Sequence, residues 1–426
     1  MKKFNLVLLI ILVAAFVVRL LLVFSAYHGD LNNNISWGKI AYENGFDGFY
    51  GSDKSEDWPY SAPNQPPLYI LLFAFIAFVY ESINKIINSL NNTIGIFPSG
   101  LVWFWEEKGM TLLVKLPGII ADLAIAIMIY QYIIIRPKLN NKKIKALLLS
   151  TLWLFNPVII YSSAVWGQTD SLVNALGFTA IILLLNRNLI KFVFLFTLSL
   201  LFKGSLAIFF PLLVFMLLKQ KLKIIELFKA LMVSLITVFT VSVWFHPHVD
   251  FVQWFINLYT QRILPGEIGY LTANAFNLWW LIDSGKVYDS VVYFGLPARI
   301  WGFIFSLGLI SFFLYFLYKR YKEDRVWLAF ALSALITFLF MTRIHERYLY
   351  PYFFPATLLI AYVPATIVLY IVLSIAHLFN LYHLFWLPDF PIVAYSYDIP
   401  FFVPFLISIQ FIVLVGYLVT LIRAKR

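Results

Sequence analysis

The sequence contains no cysteine and unusually little charge. Its 426 residues are 12% charged and 62% hydrophobic, whereas soluble globular proteins are about 25% charged. The absence of cysteine excludes disulfides, thiol catalysis and cysteine-ligated metal sites. The shortage of charge excludes a water-soluble protein of this length, because polar side chains could not cover its surface.

The uncharged parts of the sequence consist of repeated apolar runs. Runs of roughly 14 to 25 apolar residues predict an all-α, polytopic integral membrane protein. Most lysines and arginines lie in short clusters, such as "RPKLNNKKIK" at 136–145 and "KQKLK" at 219–223, which the positive-inside rule assigns to the cytoplasm. About 12 transmembrane helices fit between the clusters, with both termini inside. The predicted spans are 4–26, 110–135, 147–165, 170–186, 190–203, 205–219, 226–245, 292–318, 326–342, 349–362, 364–380 and 400–422.

Two segments leave an alternative open. The run at 4–26 begins like a signal peptide, but it is too long for one and is interpreted as a retained first helix. The segment 66–83 resembles a span, yet counting it as one would place the cluster at 136–145 outside. It is therefore interpreted as a juxtamembrane helix on the outer surface, with a thirteenth, short span as the alternative. The chain 1–426 is then one membrane domain with a large first extracytoplasmic loop at 27–109.

The predicted cytoplasmic loops are too short for a soluble catalytic domain. At about a dozen residues or fewer, none holds a nucleotide-binding fold or a Gly-rich phosphate loop, which excludes ATP-driven transport. The net charge of +11 follows from membrane topology and does not indicate nucleic acid as a partner. The notable polar residues converge on the outer face of a plasma or inner membrane. Chemistry there would need an activated group that is already attached to a membrane lipid.

The first candidate residue is Asp30, a few residues after the first predicted helix. A carboxylate at the membrane surface suits a general base acting on a sugar hydroxyl, and a solvated loop acid is the alternative. The turn "WGQTD" at 166–170 separates two apolar runs. Indole and amide groups such as those of Trp166 and Gln168 bind sugar faces and hydroxyls, and Asp170 is placed to cap the next helix. An interfacial tryptophan followed by a helix cap is the alternative.

The segment "TRIHERYLYP" at 342–351 concentrates polar groups at an outer helix end. Its members are Arg343, His345, Glu346, Arg347 and Tyr348. Guanidinium groups bind phosphate through paired hydrogen bonds, so the cluster suits a phosphate or a pyrophosphate. A surface knot of ion pairs is the alternative.

Two further cations and one acid lie in or near predicted spans. Lys115 is at the outer end of the second span and Asp122 about two turns deeper; ionisable groups there are functional or paired with a neighbouring helix. Lys203 is at the outer end of a hairpin, where snorkelling alone explains a lysine. The loop "HPHVD" at 246–250 could ligate a divalent ion, but a plain helix-end loop is favoured and no metal cofactor is predicted.

The order of these motifs resembles the GT-C superfamily of membrane glycosyltransferases, which use polyprenyl-phosphate sugars. The likeness is to mannosyltransferase-like members and covers most of the chain. It rests on Asp30 after the first helix, "PPLY" at 66–69, "KLPGIIAD" at 115–122, "NPVIIYSSAVWGQTDS" at 156–171, "RIHERYLYP" at 343–351 and "NLYH" at 380–383.

The resemblance implies a hexosyltransferase that moves mannose or another hexose, with inversion, from a polyprenyl-phosphate carrier to a glycan, glycolipid or protein acceptor. It implies juxtamembrane helices in the first loop and an essential acid that Asp30 matches. The implied phosphate ligands are Arg343, Arg347, His345, Lys115 and Lys203. The implied sugar and acceptor ligands are Trp166, Gln168, Asp170, Glu346 and Tyr348. The first loop has no Asp-x-Asp motif, which favours a metal-independent enzyme.

A secondary transporter or a lipid or oligosaccharide flippase is the competing class of protein. It predicts inverted repeats and polar residues at mid-depth in the membrane. No repeat is visible in this sequence, and its polar residues gather on one face. Among enzymes, the alternative is a transferase or polymerase that acts on a pyrophosphate-linked glycan.

Overall fold

The structure, a computed structural model, describes residues 6–51, 58–137, 139–246, 250–264 and 269–423. It is 77% helical. Within these ranges the only strands are Val292–Tyr293 and Leu296–Pro297, which form a short antiparallel hairpin. The basic cluster at 1–3 and residues 247–249 of the loop considered for a metal lie outside the described residues.

The described part of the chain forms eighteen α-helices. The first nine are α1 (Leu6–Leu22), α2 (Asp30–Asn44), α3 (Pro67–Ile94), α4 (Ser99–Ile134), α5 (Lys142–Leu154), α6 (Pro157–Ile160), α7 (Asp170–Leu185), α8 (Leu189–Phe202) and α9 (Phe210–Lys219). The others are α10 (Ile224–Ser242), α11 (Phe251–Asn257), α12 (Leu278–Ile282), α13 (Ala298–Lys319), α14 (Glu323–Phe340), α15 (Phe353–Tyr362), α16 (Thr366–Phe385), α17 (Pro391–Ser396) and α18 (Phe402–Arg423).

Short helices of other types continue several of these elements. The 3-10 helices are Gly204–Phe209, Val243–Phe245 and Glu346–Tyr352. The π-helices are Tyr161–Trp166 and Leu258–Ile263. Most of the candidate residues named from the sequence lie in or next to three of these short helices, Tyr161–Trp166, Gly204–Phe209 and Glu346–Tyr352. The irregular helices therefore determine where those side chains are placed.

Each predicted span contains helix, but the structure does not confirm twelve spans. Of the described helices, α3, α4, α13, α16, α18 and α10 with its 3-10 extension are long and apolar enough to cross a membrane. A seventh results if α5 and Pro157–Trp166, which bend by 48° at their junction, count as one span. The helices α1, α7, α8 and Gly204–Lys219 are apolar but shorter. These long apolar helices are those of a membrane-embedded protein.

Helix α3 contains the segment 66–83, which the sequence predicts as a helix on the outer surface. It runs for 28 residues and has the length and composition of a membrane span. The surface helix and the spanning alternative both stay predictions. The first turns of α3 pack on α2 through Phe73, whose carbonyl oxygen would lie 2.4 Å from a Cβ added at Gly38.

The chain turns sharply after the π-helix Tyr161–Trp166. The backbone N–H groups of Gly167 and Gln168 both donate to the backbone carbonyl oxygen of Ser162, at 3.1 and 2.9 Å. Gly167 has a φ of +89°, and a Cβ added there would lie 2.8 Å from Leu31 and 2.9 Å from Lys115. The positive φ and the close packing both require glycine at this position. This turn carries Gln168 toward the start of α2.

Candidate active site

A cavity of about 750 Å³ lies where α2, the start of α3 and the breaks after α8 and α14 meet. One side carries charged groups, and another carries amide groups from α2 and the loop after it. Apolar side chains of the lining include Ile208, Leu264, Phe338 and Met341. The residues predicted from sequence that line the cavity are Asp30, Gln168, Lys203, His345, Arg347 and Tyr348.

Asp30 is the first residue of α2, and its two carboxylate oxygens differ in their surroundings. Oδ2 accepts hydrogen bonds from Gln168 Nε2 at 2.7 Å and Trp166 Nε1 at 3.2 Å, and Arg347 Nη1 lies 3.9 Å away. Oδ1 lies 3.5 Å from Nδ1 of His28. That nitrogen accepts the backbone N–H of Asp30 at 2.9 Å, so it carries no proton to share. Among the described residues no group donates to Oδ1, and the side chain is 38% exposed.

The electrostatic surroundings keep Asp30 ionised. Burial alone would raise the pKa of its carboxyl group. The positive charge of Arg347, the imidazole of His28 and the hydrogen bonds from Trp166 and Gln168 together outweigh burial, and the pKa is lowered. At neutral pH the cavity therefore contains a carboxylate with one oxygen held by donors and the other free to accept a proton.

Arg347 lies beside Asp30 on the 3-10 helix Glu346–Tyr352. Its Nη1 donates to Glu346 Oε1 at 3.0 Å, and its guanidinium lies 5.8 Å from the Trp166 ring and 6.0 Å from the Tyr348 ring. These distances fit cation–π contacts. Glu346 is fully buried behind it, and burial raises the pKa of that carboxyl group. The Nε of Arg347 has no hydrogen-bond acceptor among the described residues.

Lys203 and Asp170 form a buried ion pair on the same side of the cavity. Lys203 Nζ donates to Asp170 Oδ1 at 2.8 Å, and the Asp170 side chain is 2% exposed. The N-cap position of α7 belongs to Thr169, which makes no side-chain cap hydrogen bond. The helix-cap interpretation of Asp170 is therefore wrong, because its carboxylate turns toward Lys203. The other carboxylate oxygen finds no partner in the described part of the chain.

His345 and Tyr348 complete the charged side. The two rings lie 5.0 Å apart. Burial, together with the positive charges of Arg347 and Lys203, lowers the pKa of His345 to about 3. At neutral pH His345 is therefore an uncharged imidazole, so it could meet a ligand by hydrogen bonding and not as a cation.

Lys115 is not brought to the cavity. Its ammonium group, which is 1% exposed, lies 2.7 to 3.1 Å from four carbonyl oxygens. They belong to Val23, Ala26, Ala164 and Val165. Carbonyl groups at helix ends lack intrahelical partners and carry partial negative charge. Lys115 thus joins the end of α1 to the end of the π-helix.

Arg343 also lies away from the cavity lining. Its Nε and Nη2 donate to the two carboxylate oxygens of Asp289, at 2.7 and 3.0 Å. Thr342 Oγ1 donates to the same carboxylate at 3.1 Å. This paired arrangement holds the segment before α13 against the break after α14. The ion-pair alternative that the sequence left open describes Arg343, and it also describes Arg347, which pairs with Glu346 at 3.0 Å but lines the cavity as well.

Asp122 is the centre of a buried hydrogen-bond network and is not part of the cavity lining. Its Oδ2 accepts hydrogen bonds from Arg19 Nε at 2.9 Å and from Ser163 Oγ at 2.6 Å. Its Oδ1 accepts hydrogen bonds from Ser171 Oγ at 2.5 Å and from the Tyr350 hydroxyl at 3.2 Å. Asp122 and Arg19 are both fully buried. The arrangement matches the structural partnership left open for Asp122. Sequence reasoning missed Arg19, although a lone arginine inside an apolar helix signals a buried partner.

The sequence reasoning also missed the amide side of the cavity. Asn33, Asn34 and Trp37 line it together with Asp30. These residues stand at positions i+3, i+4 and i+7 from Asp30, and such positions share one helix face. Reading that spacing in "DLNNNISW" would have found them.

No group of three or more histidine, aspartate or glutamate side chains within the described ranges could hold a metal ion. Metal independence stays a prediction, since residues 247–249 lie outside those ranges.

Comparison with known proteins adds no relative to these observations. The sequence matches no protein-family model, and it matches no curated protein.

Proposed function

We propose that this chain is a membrane glycosyltransferase that moves a hexose from a polyprenyl-phosphate carrier to an acceptor hydroxyl. The observation that carries the proposal is the position of Asp30. Asp30, whose Oδ1 accepts no hydrogen bond from a described residue, lines the same cavity as Arg347 and Lys203, so a carboxylate and two cations surround one space. The motif order that resembles the GT-C superfamily supports the same activity.

Asp30 acts as the general base in the proposed reaction. Its Oδ1 takes the proton of the acceptor hydroxyl while the hydroxyl oxygen bonds to the anomeric carbon. The bond between that carbon and the phosphate oxygen breaks, the polyprenyl phosphate leaves with the electron pair, and the anomeric configuration inverts. General-base catalysis contributes about 10²- to 10⁴-fold in rate, which sets the scale expected for removing the carboxylate.

Arg347 and Lys203 stabilise the phosphate as it leaves. Preorganised cations near a developing negative charge lower the barrier because they need no reorganisation during the reaction. Arg347 lines the cavity, where a guanidinium group can donate to a phosphate oxygen. The apolar lining residues Ile208, Phe338 and Met341 suit the start of the polyprenyl chain. The active site faces the extracytoplasmic side in this proposal.

Purified protein incubated with radiolabelled polyprenyl-phosphate mannose and a panel of hydroxyl acceptors tests the proposal. We expect transfer of the label by the wild type and a loss of at least about 100-fold in D30N. Glu107→Gln is the control, because Glu107 is an exposed acid paired only with Lys108 among the described residues. Equal transfer by the wild type and D30N would remove Asp30 from the mechanism. Movement of intact labelled lipid across liposomes, with no transfer to any acceptor, would favour a flippase instead.

A further inference from the structure

The cavity next to Asp30 has one wall without any ionisable side chain. We call it the amide wall and define it by Asn33, Asn34, Trp37, Ser61, Asn64 and Gln65, all of which line the cavity. The cationic groups Lys203 and Arg347 lie elsewhere on the lining. Asp30 shares the helix face of Asn33, Asn34 and Trp37, so it is flanked by two different chemical surroundings.

The amide wall is held in place by its own hydrogen bonds. Asn33 Oδ1 accepts from the backbone N and the Oγ of Ser61, at 3.1 and 2.9 Å. Trp37 Nε1 donates to the carbonyl oxygen of Ser61 at 2.7 Å. Asn34 Oδ1 accepts from Tyr69 at 2.7 Å. The loop before α3 is thus tied to α2, and its side chains need little reordering to meet a ligand.

These bonds use the oxygen ends of the two asparagine amides. The NH₂ groups of Asn33 and Asn34 donate to no described residue, although Asn34 is only 6% exposed. Gln65 uses the opposite end of its amide, because its Nε2 donates to Asn64 Oδ1 at 3.1 Å. The wall therefore presents neutral donors from α2 and a neutral carbonyl acceptor from the loop before α3.

We infer that the amide wall binds the acceptor and that the acceptor is an uncharged, hydroxyl-rich molecule, a saccharide. The inference rests on the proposed function, since it assigns the second substrate of that site. A hydroxyl group both donates and accepts, which matches a wall offering neutral groups of both kinds. A saccharide carries several hydroxyl groups, which match the separate NH₂ groups of Asn33 and Asn34.

The charges of the site disfavour other acceptors. An anionic acceptor, such as an inositol phospholipid, would lie against the Asp30 carboxylate on a wall that carries no cation. Taking that charge out of water is costly without a paired opposite charge. The cations of the cavity, Lys203 and Arg347, are occupied by the donor phosphate in the proposed reaction. A peptide also offers neutral backbone donors and acceptors, so a serine-containing peptide is compared directly in the binding experiment.

The first experiment measures binding and transfer separately. Equilibrium binding of octyl mannoside, octyl glucoside, a serine-containing peptide and phosphatidylinositol to the purified protein is compared, followed by label transfer from polyprenyl-phosphate mannose. We expect a neutral glycoside to bind and to receive the label. Preferential binding of the peptide or of phosphatidylinositol, or binding of none of the glycosides, would overturn the inference. Glycoside binding without any transfer would contradict the proposed function alone.

The second experiment changes the wall without removing its internal bonds. Asn33→Asp keeps the oxygen that accepts from Ser61 but replaces the NH₂ donor with a charged oxygen. We expect the KM for the saccharide to rise about tenfold or more, as the loss of one to two hydrogen bonds predicts, with the KM for the donor unchanged. Asn32→Asp is the matched control, because Asn32 accepts from Tyr27 and lines a separate surface groove. Equal KM values in the two variants would contradict the assignment.

Discussion

The ammonium nitrogen of Lys115 lies 2.7 Å from the carbonyl oxygen of Val165. Val165 is followed by Trp166, which donates to Asp30. The same nitrogen lies 2.7 and 2.9 Å from the carbonyl oxygens of Val23 and Ala26, on the segment that leads into α2. One buried cation therefore fixes the distance between the carboxylate and the groups that hold it.

Replacing Lys115 with methionine should destabilise the protein and misplace Asp30 together. The substitution leaves four buried carbonyl groups without their common donor, and each unsatisfied buried group costs about 1–3 kcal/mol. We expect a lower thermal unfolding midpoint in detergent and a kcat reduced more than the donor KM rises. The planar guanidinium of K115R cannot meet carbonyl groups on all sides, so it should restore little of either. Wild-type stability in K115M would show that water replaces the ammonium.

The pH dependence of transfer should reflect the lowered pKa of Asp30. A base is active above its pKa, so a lowered pKa moves the acid limb of the kcat/KM profile below the ordinary value of 3.8. His345, with a pKa lowered to about 3, should add no limb near pH 6. Measured kcat/KM should therefore show no acid limb from Asp30 above its ordinary pKa of 3.8.

Removing a donor to Asp30 should shift that acid limb upward. Gln168→Met deletes the 2.7 Å hydrogen bond to Oδ2, which lowers the carboxyl pKa. The pKa should rise, and activity should begin to fall at a higher pH than in the wild type. Gln253→Met is the control, because the Gln253 amide donates to Asn257 on an exposed face of α11. An unchanged profile in Q168M would mean that Asp30 does not set the acid limb.

Two arginines on one segment should behave differently when neutralised. R347Q removes a cation from the cavity, and we expect the affinity for polyprenyl-phosphate mannose to fall by at least about tenfold, the usual scale for a charged hydrogen bond. R343Q breaks the pair with Asp289 outside the cavity, so it should lower the unfolding midpoint and leave donor affinity unchanged. Donor titrations and thermal unfolding of both variants separate the two roles. Equal donor affinities would contradict a phosphate site at Arg347.

The buried pair of Lys203 and Asp170 should show strong coupling. K203M alone leaves the buried carboxylate of Asp170 unpaired, which costs about 3–5 kcal/mol. The double variant K203M/D170N removes both charges and should recover most of the unfolding free energy. Donor affinity should stay reduced in both, because the cation is missing from the cavity. Full recovery of donor affinity in the double variant would assign Lys203 a purely structural role.

The sequence predicts which polar residues lie near helix ends, but not the direction in which each points. Asp30, Gln168, Lys203 and Arg347 share a cavity because the helices that carry them break at one end of the bundle. Lys115 is also predicted to lie near this end of the bundle, yet its ammonium group contacts carbonyl oxygens at the end of α1 and at the end of the π-helix. That outcome depends on the packing of neighbouring helices, which periodicity and charge do not encode.

The number of spans shows a second limit of sequence reasoning. Charge clusters and apolar runs identify helices, but the break at Pro157 divides the predicted span 147–165, and the 3-10 helix Gly204–Phe209 takes up the first part of the predicted span 205–219. The amide wall was missed for a different reason. Asparagines in a loop resemble ordinary solvated residues until α2 is known to be a helix, and only then do Asn33 and Asn34 share a face with Asp30.

The buried carboxylate of Asp122 has a consequence for the whole candidate site. Its four partners come from α1, the π-helix, α7 and the 3-10 helix Glu346–Tyr352. Those same four elements lead into, or contain, Asp30, Trp166, Asp170 and Arg347. A disturbance at Asp122 would therefore move Asp30, its donor Trp166 and the neighbouring Arg347 as one unit.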